Sequence, residues 1–185
     1  MPLLKKEPDF HPESFFELDP GDSPWWVLHV ASRQEKVLAR FLLERDIPFY
    51  LPQAEKKTKR NGRNFTSYIP LFPGYVFLRG SREQRATALR SNVIASTLEV
   101  HDQEMLAGEL RQIRDLQLSG AVLVPYEEIT TGDPVKLTDG VFKGYTGTVV
   151  RERGEMRLVV SISLIRRSVL VDVSRDGVAP VKQTA

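Results

Sequence analysis

The chain has 185 residues, of which 41% are apolar, 27% charged and 9% aromatic, a composition typical of globular proteins. It has no cysteine, which excludes disulfides, thiolate metal sites and cysteine nucleophiles and favours a reducing cytoplasm. No apolar run reaches the ~18 residues that cross a membrane, so we expect no membrane partner.

The formal net charge of +2 is unevenly distributed. Residues 1–23 have two basic and six acidic side chains, residues 24–119 have fifteen and ten, and residues 120–185 have nine and eight. The basic middle part favours a polyanion as partner, although an excess of this size is also common on solvated surfaces.

The first predicted element is an acidic extension, residues 1–23, whose prolines and lack of periodicity predict a flexible segment. Its aromatic residues Phe10, Phe15 and Phe16 leave two interpretations open. They form a docking motif for a partner, or they fold back onto the surface of the domain itself.

Strand and helix patterns alternate over the next hundred residues. A β-rich run over residues 25–31 precedes a helix opened by a Ser32/Glu35 capping box. Charged strands on either side of Asn61-Gly62 predict a hairpin, and a second capping box, Ser81/Gln84, opens a short helix. The apolar face expected for the first helix comprises Val37, Leu38, Phe41 and Leu42, and that of a third helix, capped by Asp102, comprises Met105, Leu106, Leu110, Ile113 and Leu116.

Short strands separated by glycine follow residue 118 and predict a small β-barrel. Gly140, Gly144 and Gly147 are interpreted as turn residues with positive φ. Residues 146–173 are rich in β-branched side chains, which favour strands over a helix, so we predict that this segment is permanently β. Ile165 is expected to be exposed at a turn.

The sequence contains no recognisable catalytic or metal-binding arrangement. The three histidines lack the spacing of a metal site, and no hydrolase or phosphate-loop motif occurs, so we predict a protein without enzymatic activity or cofactor. Basic residues suggest binding surfaces instead, although each group is also compatible with simple solvation. They form a run at the hairpin tip, Lys56, Lys57, Lys59, Arg60 and Arg63, and a stripe on the first helix, Arg33, Lys36 and Arg40.

Three segments together resemble the NusG-like transcription elongation factors, and more closely their RfaH-like paralogues. They are Trp25-Trp26-Val27-Leu28, the run from Pro70 to Leu78, and a KOW pattern of Gly132-Asp133-x-Val135 followed by Asp139-Gly140-x-Phe142-x-Gly144-x-x-Gly147. The resemblance covers roughly residues 24–173. It implies an α+β fold with an NGN-type antiparallel sheet and helices, a flexible linker and a C-terminal KOW β-barrel.

The resemblance also implies partners and site residues. An NGN domain binds the clamp helices of the largest RNA polymerase subunit through a groove, which is matched here by Phe72, Tyr75 and Phe77. Its contact with the opposing polymerase subunit is matched by Arg85, Ala86 and Thr87. Non-template DNA or nascent RNA would lie near Arg33 and Gln34, and near the basic residues already named. A partner of the barrel, ribosomal protein S-ten or Rho, would contact Leu164, Ile165, Arg166 and Arg167. Ile165-Arg166 replaces the Phe-Gly pair of housekeeping NusG proteins.

These expectations define a domain organisation. Residues 1–23 are the extension, 24–119 the NGN-like domain, 120–131 the linker, 132–178 the barrel and 179–185 a tail. We expect a cytoplasmic, monomeric transcription elongation or antitermination factor. The alternative is a ribosome-associated RNA-binding KOW protein, which the nearly neutral barrel segment disfavours.

Overall fold

The computed structural model describes residues 6–18, 21, 23–126, 133–138, 143–152, 155–172 and 178–180. They form two compact units, divided between Glu104 and Met105. Both units combine antiparallel strands with helices, which confirms the predicted α+β class. Of the helices in these ranges, none is long and apolar enough to cross a membrane.

The first unit contains a five-stranded sheet in the order β1-β3-β6-β2-β7, a two-stranded hairpin and two helices that are complete within it. Its elements in chain order are β1 Phe10–His11, β2 Trp25–Val30, α1 Glu35–Leu43, β3 Phe49–Tyr50, β4 Gln53–Arg60, β5 Arg63–Pro70, β6 Tyr75–Arg79, α2 Arg82–Leu89 and β7 Ile94–Leu98.

One face of the sheet forms the main core of this unit. Leu28 and Val30 of β2, with Val76 and Leu78 of β6, belong to the same buried cluster as Leu38, Ala39 and Leu42 of α1 and Ala88 of α2. Alternate residues of a strand point to opposite faces, so Val27, His29, Tyr75 and Phe77 lie on the second face. The predicted apolar face of α1 was partly wrong, because Val37 is 41% exposed and Phe41 is only half-buried.

The two predicted capping boxes have opposite outcomes. Ser81 and Gln84 form the complete reciprocal box at the start of α2. The Ser32/Glu35 box does not form, because Arg33 has a left-handed φ of 62° and the helix begins only at Glu35. The buried carboxylate of Glu35 instead accepts a hydrogen bond from the amide of Gly74 at 2.7 Å.

The N-terminal segment, residues 6–18, is folded against the first unit, which corrects the expectation of flexibility for these residues. β1 pairs with β3, and Phe15 and Phe16 are buried. The ring of Phe15 lies edge-on to Trp25 at 5.3 Å, and that of Phe16 lies edge-on to Tyr50 at 5.1 Å, both measured between centroids. The aromatic residues thus cover part of the second sheet face.

A buried arginine fixes this segment to the sheet. Arg79 of β6 is only 2% exposed, and its guanidinium lies over the ring of Trp25. It donates hydrogen bonds to the carbonyl oxygens of Phe15, Leu18 and Ser23 at 3.2, 2.8 and 3.1 Å. Because a buried cation is costly without acceptors, these main-chain contacts couple the position of the segment to that of β6.

The second unit contains most of α3, Gln103–Leu118, and a six-stranded antiparallel sheet in the order β13-β9-β10-β11-β12-β8. Its strands are β8 Leu123–Tyr126, β9 Asp133–Leu137, β10 Thr146–Glu152, β11 Glu155–Ile162, β12 Arg167–Asp172 and β13 Val178–Pro180. β8 lies within the segment expected to be a linker and pairs with β12. The boundary between the two units lies after residue 104, whereas the sequence analysis placed the end of the first domain at residue 119.

The predicted burial of α3 is largely confirmed. Leu106, Leu110, Ile113 and Leu116 are buried, whereas Met105 is 47% exposed. The described residues between 146 and 172 form strands and one 3-10 turn, Ser163–Ile165, as their β-branched composition predicts.

Only part of the glycine interpretation holds. Gly144 has a φ of 96°, as a turn residue should, but Gly147 lies inside β10. A Cβ atom there would lie 2.5 Å from the carbonyl oxygen of Val159, so close approach of β11 requires this glycine. Gly132 and residues 139–142 of the KOW pattern, with Gly140, lie outside the described residues.

Candidate functional site

The predicted groove residues are buried to different extents. Phe77 and Phe72 are 0% and 1% exposed, and their rings meet at 5.9 Å and 89°. Tyr75 is half-buried and pairs across the strands with His29, whose ring lies 5.1 Å from the ring of Tyr75. His29 and Tyr75 therefore form the accessible aromatic part of the second sheet face, and Phe72 and Phe77 support it from within.

A cavity of about 500 Å³ adjoins this aromatic pair. It is lined by His29, Arg33, Glu35 and Gly74, among others, at the start of α1. Gly74 has a φ of 85°, and a Cβ atom there would lie 3.5 Å from the His29 ring. The Glu35 bond to the Gly74 amide thus positions the turn before β6 and, through it, the His29 edge of the cavity. Sequence reasoning missed His29 and Glu35, because their roles depend on contacts between distant segments.

The three α2 residues, Arg85, Ala86 and Thr87, lie together near the end of β6. Arg85 is half-buried, with its guanidinium 4.7 Å from the ring of Trp26. Trp26 in turn donates a hydrogen bond to the carbonyl oxygen of Gly80 at 2.9 Å. Ala86 is exposed and Thr87 half-buried, so this part of α2 offers a small accessible surface.

The basic stripe expected on α1 is not a continuous surface. Lys36 donates to the carbonyl oxygen of Tyr68 at 2.6 Å, and Arg40 forms an ion pair with Glu7 at 2.8 Å. Arg33 and Gln34 precede the helix and are exposed and half-exposed. Of the stripe, Arg33 alone lies exposed beside the cavity.

The basic run of the hairpin lies on two long strands. Asn61 and Gly62 have φ values of 50° and 74°, which confirms the predicted tight turn. Lys56, Lys57, Lys59 and Arg63 are exposed, and the backbone of Arg60 pairs with that of Arg63. Sequence reasoning missed Phe65, which is 47% exposed and faces Thr58 across the hairpin.

The predicted partner-binding turn of the second unit is held by α3. Glu109 accepts hydrogen bonds from the amide and hydroxyl of Ser163, the latter at 2.5 Å. Ile165 is 6% exposed, so the expectation of an exposed tip was wrong. Leu164 and Arg167 are half-buried and Arg166, with a φ of 52°, is exposed.

A second contact between α3 and the strands involves Tyr145. Its hydroxyl donates to the carboxylate of Asp115 at 2.6 Å. Burial, reinforced by this hydrogen bond and by the charge of Asp115, raises the pKa of Tyr145 to about 12. The contact therefore persists at every pH at which the phenol stays neutral.

The raised pKa predicts that the phenol of Tyr145 loses its proton at a higher pH than an ordinary tyrosine. Since the folded pKa lies above the ordinary value of ~10, the stabilising contribution of the neutral phenol is present below pH ~10 and lost as the pH rises towards 12. The difference in tyrosinate absorbance between the native chain and Tyr145→Phe should have its midpoint near 12. A midpoint near 10 would contradict the Asp115 contact.

No group of three or more potential metal ligands occurs within the described ranges. The predicted site residues lie on four surfaces: the His29–Tyr75 pair with its adjoining cavity, the exposed part of α2, the basic hairpin and the turn held by α3.

Comparison with known proteins shows what this chain is similar to. Residues 23–106 match the family model described as transcription termination factor nusG. The transcription termination/antitermination protein NusG of Pseudomonas aeruginosa is 28% identical over 177 residues, covering 85% of this chain and 98% of that protein. Its namesake from Rickettsia bellii is 24% identical over 166 residues, covering 81% and 86%.

Among solved structures, one described as "Domain interaction in Thermotoga maritima NusG" matches with a TM-score of 0.49 and 18% identity. The match covers 89% of this chain and all of that one.

Proposed function

Because residues 23–106 match the NusG family model and the chain is similar to NusG proteins along most of its length, we propose that it is a transcription elongation and antitermination factor that binds RNA polymerase through its first unit. The proposal includes a cytoplasmic site of action and the absence of enzymatic activity. The matches to relatives named transcription termination/antitermination protein cover 86% and 98% of those proteins.

The observation that carries the proposal is the accessible His29–Tyr75 pair. The two rings lie 5.1 Å apart on the sheet face opposite α1 and α2, beside a cavity of about 500 Å³. A half-buried aromatic pair next to a cavity is suited to hold the apolar side chains of a partner helix. We assign this role to Tyr75, with the clamp helices of the largest polymerase subunit as the partner.

Two finer roles complete the proposal. Arg85, Ala86 and Thr87 would contact the opposing polymerase subunit, because they form the accessible part of α2. The specialisation would be RfaH-like, because Ile165-Arg166 occupies the turn between β11 and β12. This turn would bind ribosomal protein S-ten or Rho after it separates from Glu109, which accepts its Ser163 hydrogen bonds.

Replacing Tyr75 with Ala tests polymerase binding. Loss of an interface aromatic typically costs about 1–3 kcal/mol of binding free energy, so the dissociation constant for cognate core polymerase should rise about 5- to 150-fold. Biolayer interferometry with immobilised polymerase measures this change. Tyr126→Ala makes the same chemical change in the second unit and should leave the affinity unchanged.

Circular dichroism separates binding from folding in this experiment. A Tyr75→Ala variant that keeps its spectrum and its polymerase affinity would contradict the assigned role of the pair. Failure of the unmodified chain to bind polymerase would contradict the proposed function as a whole.

A further inference from the structure

The start of α1 departs from three local preferences of helices. Arg33 has a left-handed φ of 62°, which is strained for a residue other than glycine. Gln34 is the N-cap residue, and within the fully described helix its side chain makes no capping hydrogen bond. Glu35 is only 6% exposed, although burial of a carboxylate is costly. Such departures concentrate at functional sites, and Arg33 and Glu35 both line the cavity beside the His29–Tyr75 pair.

The carboxylate of Glu35 binds a main-chain group outside its own helix. Its Oε1 atom accepts a hydrogen bond from the amide of Gly74 at 2.7 Å. The carbonyl oxygen of Gly74 in turn accepts a hydrogen bond from the amide of Val30 at 2.9 Å. Gly74 is thereby held from two sides, by the start of α1 and by the end of β2.

The two accessible aromatic residues are chain neighbours of these hydrogen bonds. Tyr75 follows Gly74, and His29 precedes Val30. Their rings lie 5.1 Å apart at an angle of 36°. The register of β2 with β7 shifts between His29 and Val30, so the ladder is irregular where His29 lies. The hydrogen bond from Gly74 to Glu35 therefore adds a constraint at a point where the β2–β7 pairing is weakened.

We propose that Glu35 is a positioning residue for polymerase binding. Its carboxylate holds Gly74, and Gly74 keeps Tyr75 against His29 in the arrangement that receives the partner helix. Because the pair is ordered before the partner arrives, binding does not have to supply the free energy of ordering it. This inference rests on the proposed function and deepens it, since it names the buried acid on which the accessible pair depends.

The alternative role for Glu35 is direct recognition of a basic side chain that enters the cavity. Two observations favour positioning. The Oε1 atom already accepts the hydrogen bond from Gly74 in the free chain, and Arg33 lines the same cavity, where it would repel an incoming cation. The two roles require different properties of the side chain, because positioning depends on its reach and recognition depends on its charge.

Two substitutions of Glu35 separate reach from charge. Glu35→Gln keeps an acceptor oxygen at the same length of side chain, and Glu35→Asp keeps the charge but is one methylene shorter. Biolayer interferometry with cognate core polymerase should give Glu35→Gln an affinity within about 3-fold of the native chain. Glu35→Asp should bind about 10- to 100-fold more weakly, because fewer chains have the pair in place. The opposite ranking, or equal affinities of all three chains, would overturn the positioning role.

A matched control and a double-mutant cycle complete the binding test. Glu44→Asp makes the same change at an exposed residue at the other end of α1 and should leave the affinity unchanged. If Glu35 acts through Tyr75, Glu35→Asp should change the affinity less than about 2-fold in a chain that already carries Tyr75→Ala. A further loss as large as in the native background would overturn the proposal.

Nuclear magnetic resonance of the free full-length chain tests the same hydrogen bond without polymerase. The native chain and Glu35→Gln should show a nuclear Overhauser effect between the rings of His29 and Tyr75. Glu35→Asp should weaken this effect and speed hydrogen exchange of the Gly74 amide. An unchanged effect and unchanged exchange in Glu35→Asp would overturn the inference even when polymerase binds. Failure of the native chain to bind polymerase, with these spectra as expected, would instead contradict the proposed function.

Discussion

Replacing Phe77 with Ala should lower the free energy of unfolding of the first unit by about 3–5 kcal/mol, as for other buried phenylalanines. Phe77 is 0% exposed and contacts both Tyr50 and Phe72, so its removal leaves a cavity lined by aromatic rings. Any loss of polymerase binding in this variant would then be indirect, because the sheet that positions Tyr75 would itself be destabilised.

Urea denaturation followed by tryptophan fluorescence measures this change. The chain has two tryptophans, Trp25 and Trp26, and both lie in β2 of the first unit. The signal therefore reports on this unit. Tyr75→Ala is the control, since a half-buried side chain should cost less than half as much as Phe77. Similar stabilities of the Phe77→Ala variant and the native chain would show that Phe77 is not a core residue.

Replacing Phe15 with Ala should destabilise the first unit by a comparable amount, about 3–5 kcal/mol. Phe15 is fully buried and packs against Phe16, Trp25 and Tyr50. Its carbonyl oxygen also accepts a hydrogen bond from Arg79, so displacement of this residue disturbs the acceptors of a buried cation.

The same fluorescence measurement applies to this variant, because Trp25 lies directly beside Phe15. Glu13→Ala, at an exposed position two residues earlier, should leave the unfolding midpoint unchanged. If removal of residues 1–18 also left the midpoint unchanged, the segment would have no stabilising role.

Local sequence signals predicted local structure. Asn61-Gly62 forms the expected turn because both residues tolerate positive φ, and Ser81/Gln84 forms its box because the two groups are three residues apart. The strand character of residues 146–172 follows from the same kind of signal, the β-branched side chains. These features need no knowledge of distant segments.

Contacts between distant segments account for what the sequence did not predict. Glu35 leaves its expected box because the amide of Gly74, 39 residues away, is its hydrogen-bond donor. Ile165 is buried in a unit where Glu109, 54 residues before Ser163, fixes the adjacent turn. No periodicity in the sequence indicates either pairing.

The aromatic residues of the N-terminal segment illustrate the same limit. Phe10, Phe15 and Phe16 were compatible with a docking motif and with packing onto the domain, and composition could not decide between them. The structure has them against Trp25 and Tyr50, where Arg79 supplies polar contacts that no local pattern reveals.

The pairing of β1 with β3 also bears on self-association of the chain. An open sheet edge presents free amide and carbonyl groups that can template pairing with another molecule. Here Phe10 and His11 occupy the edge beside β3, the amide of Leu51 donates to the carbonyl oxygen of Asp9, and Pro12, which has no amide hydrogen, ends the strand. A chain shortened to begin at residue 24 would expose this edge beside a freshly uncovered aromatic surface. Such a chain should aggregate at concentrations at which the full-length protein does not.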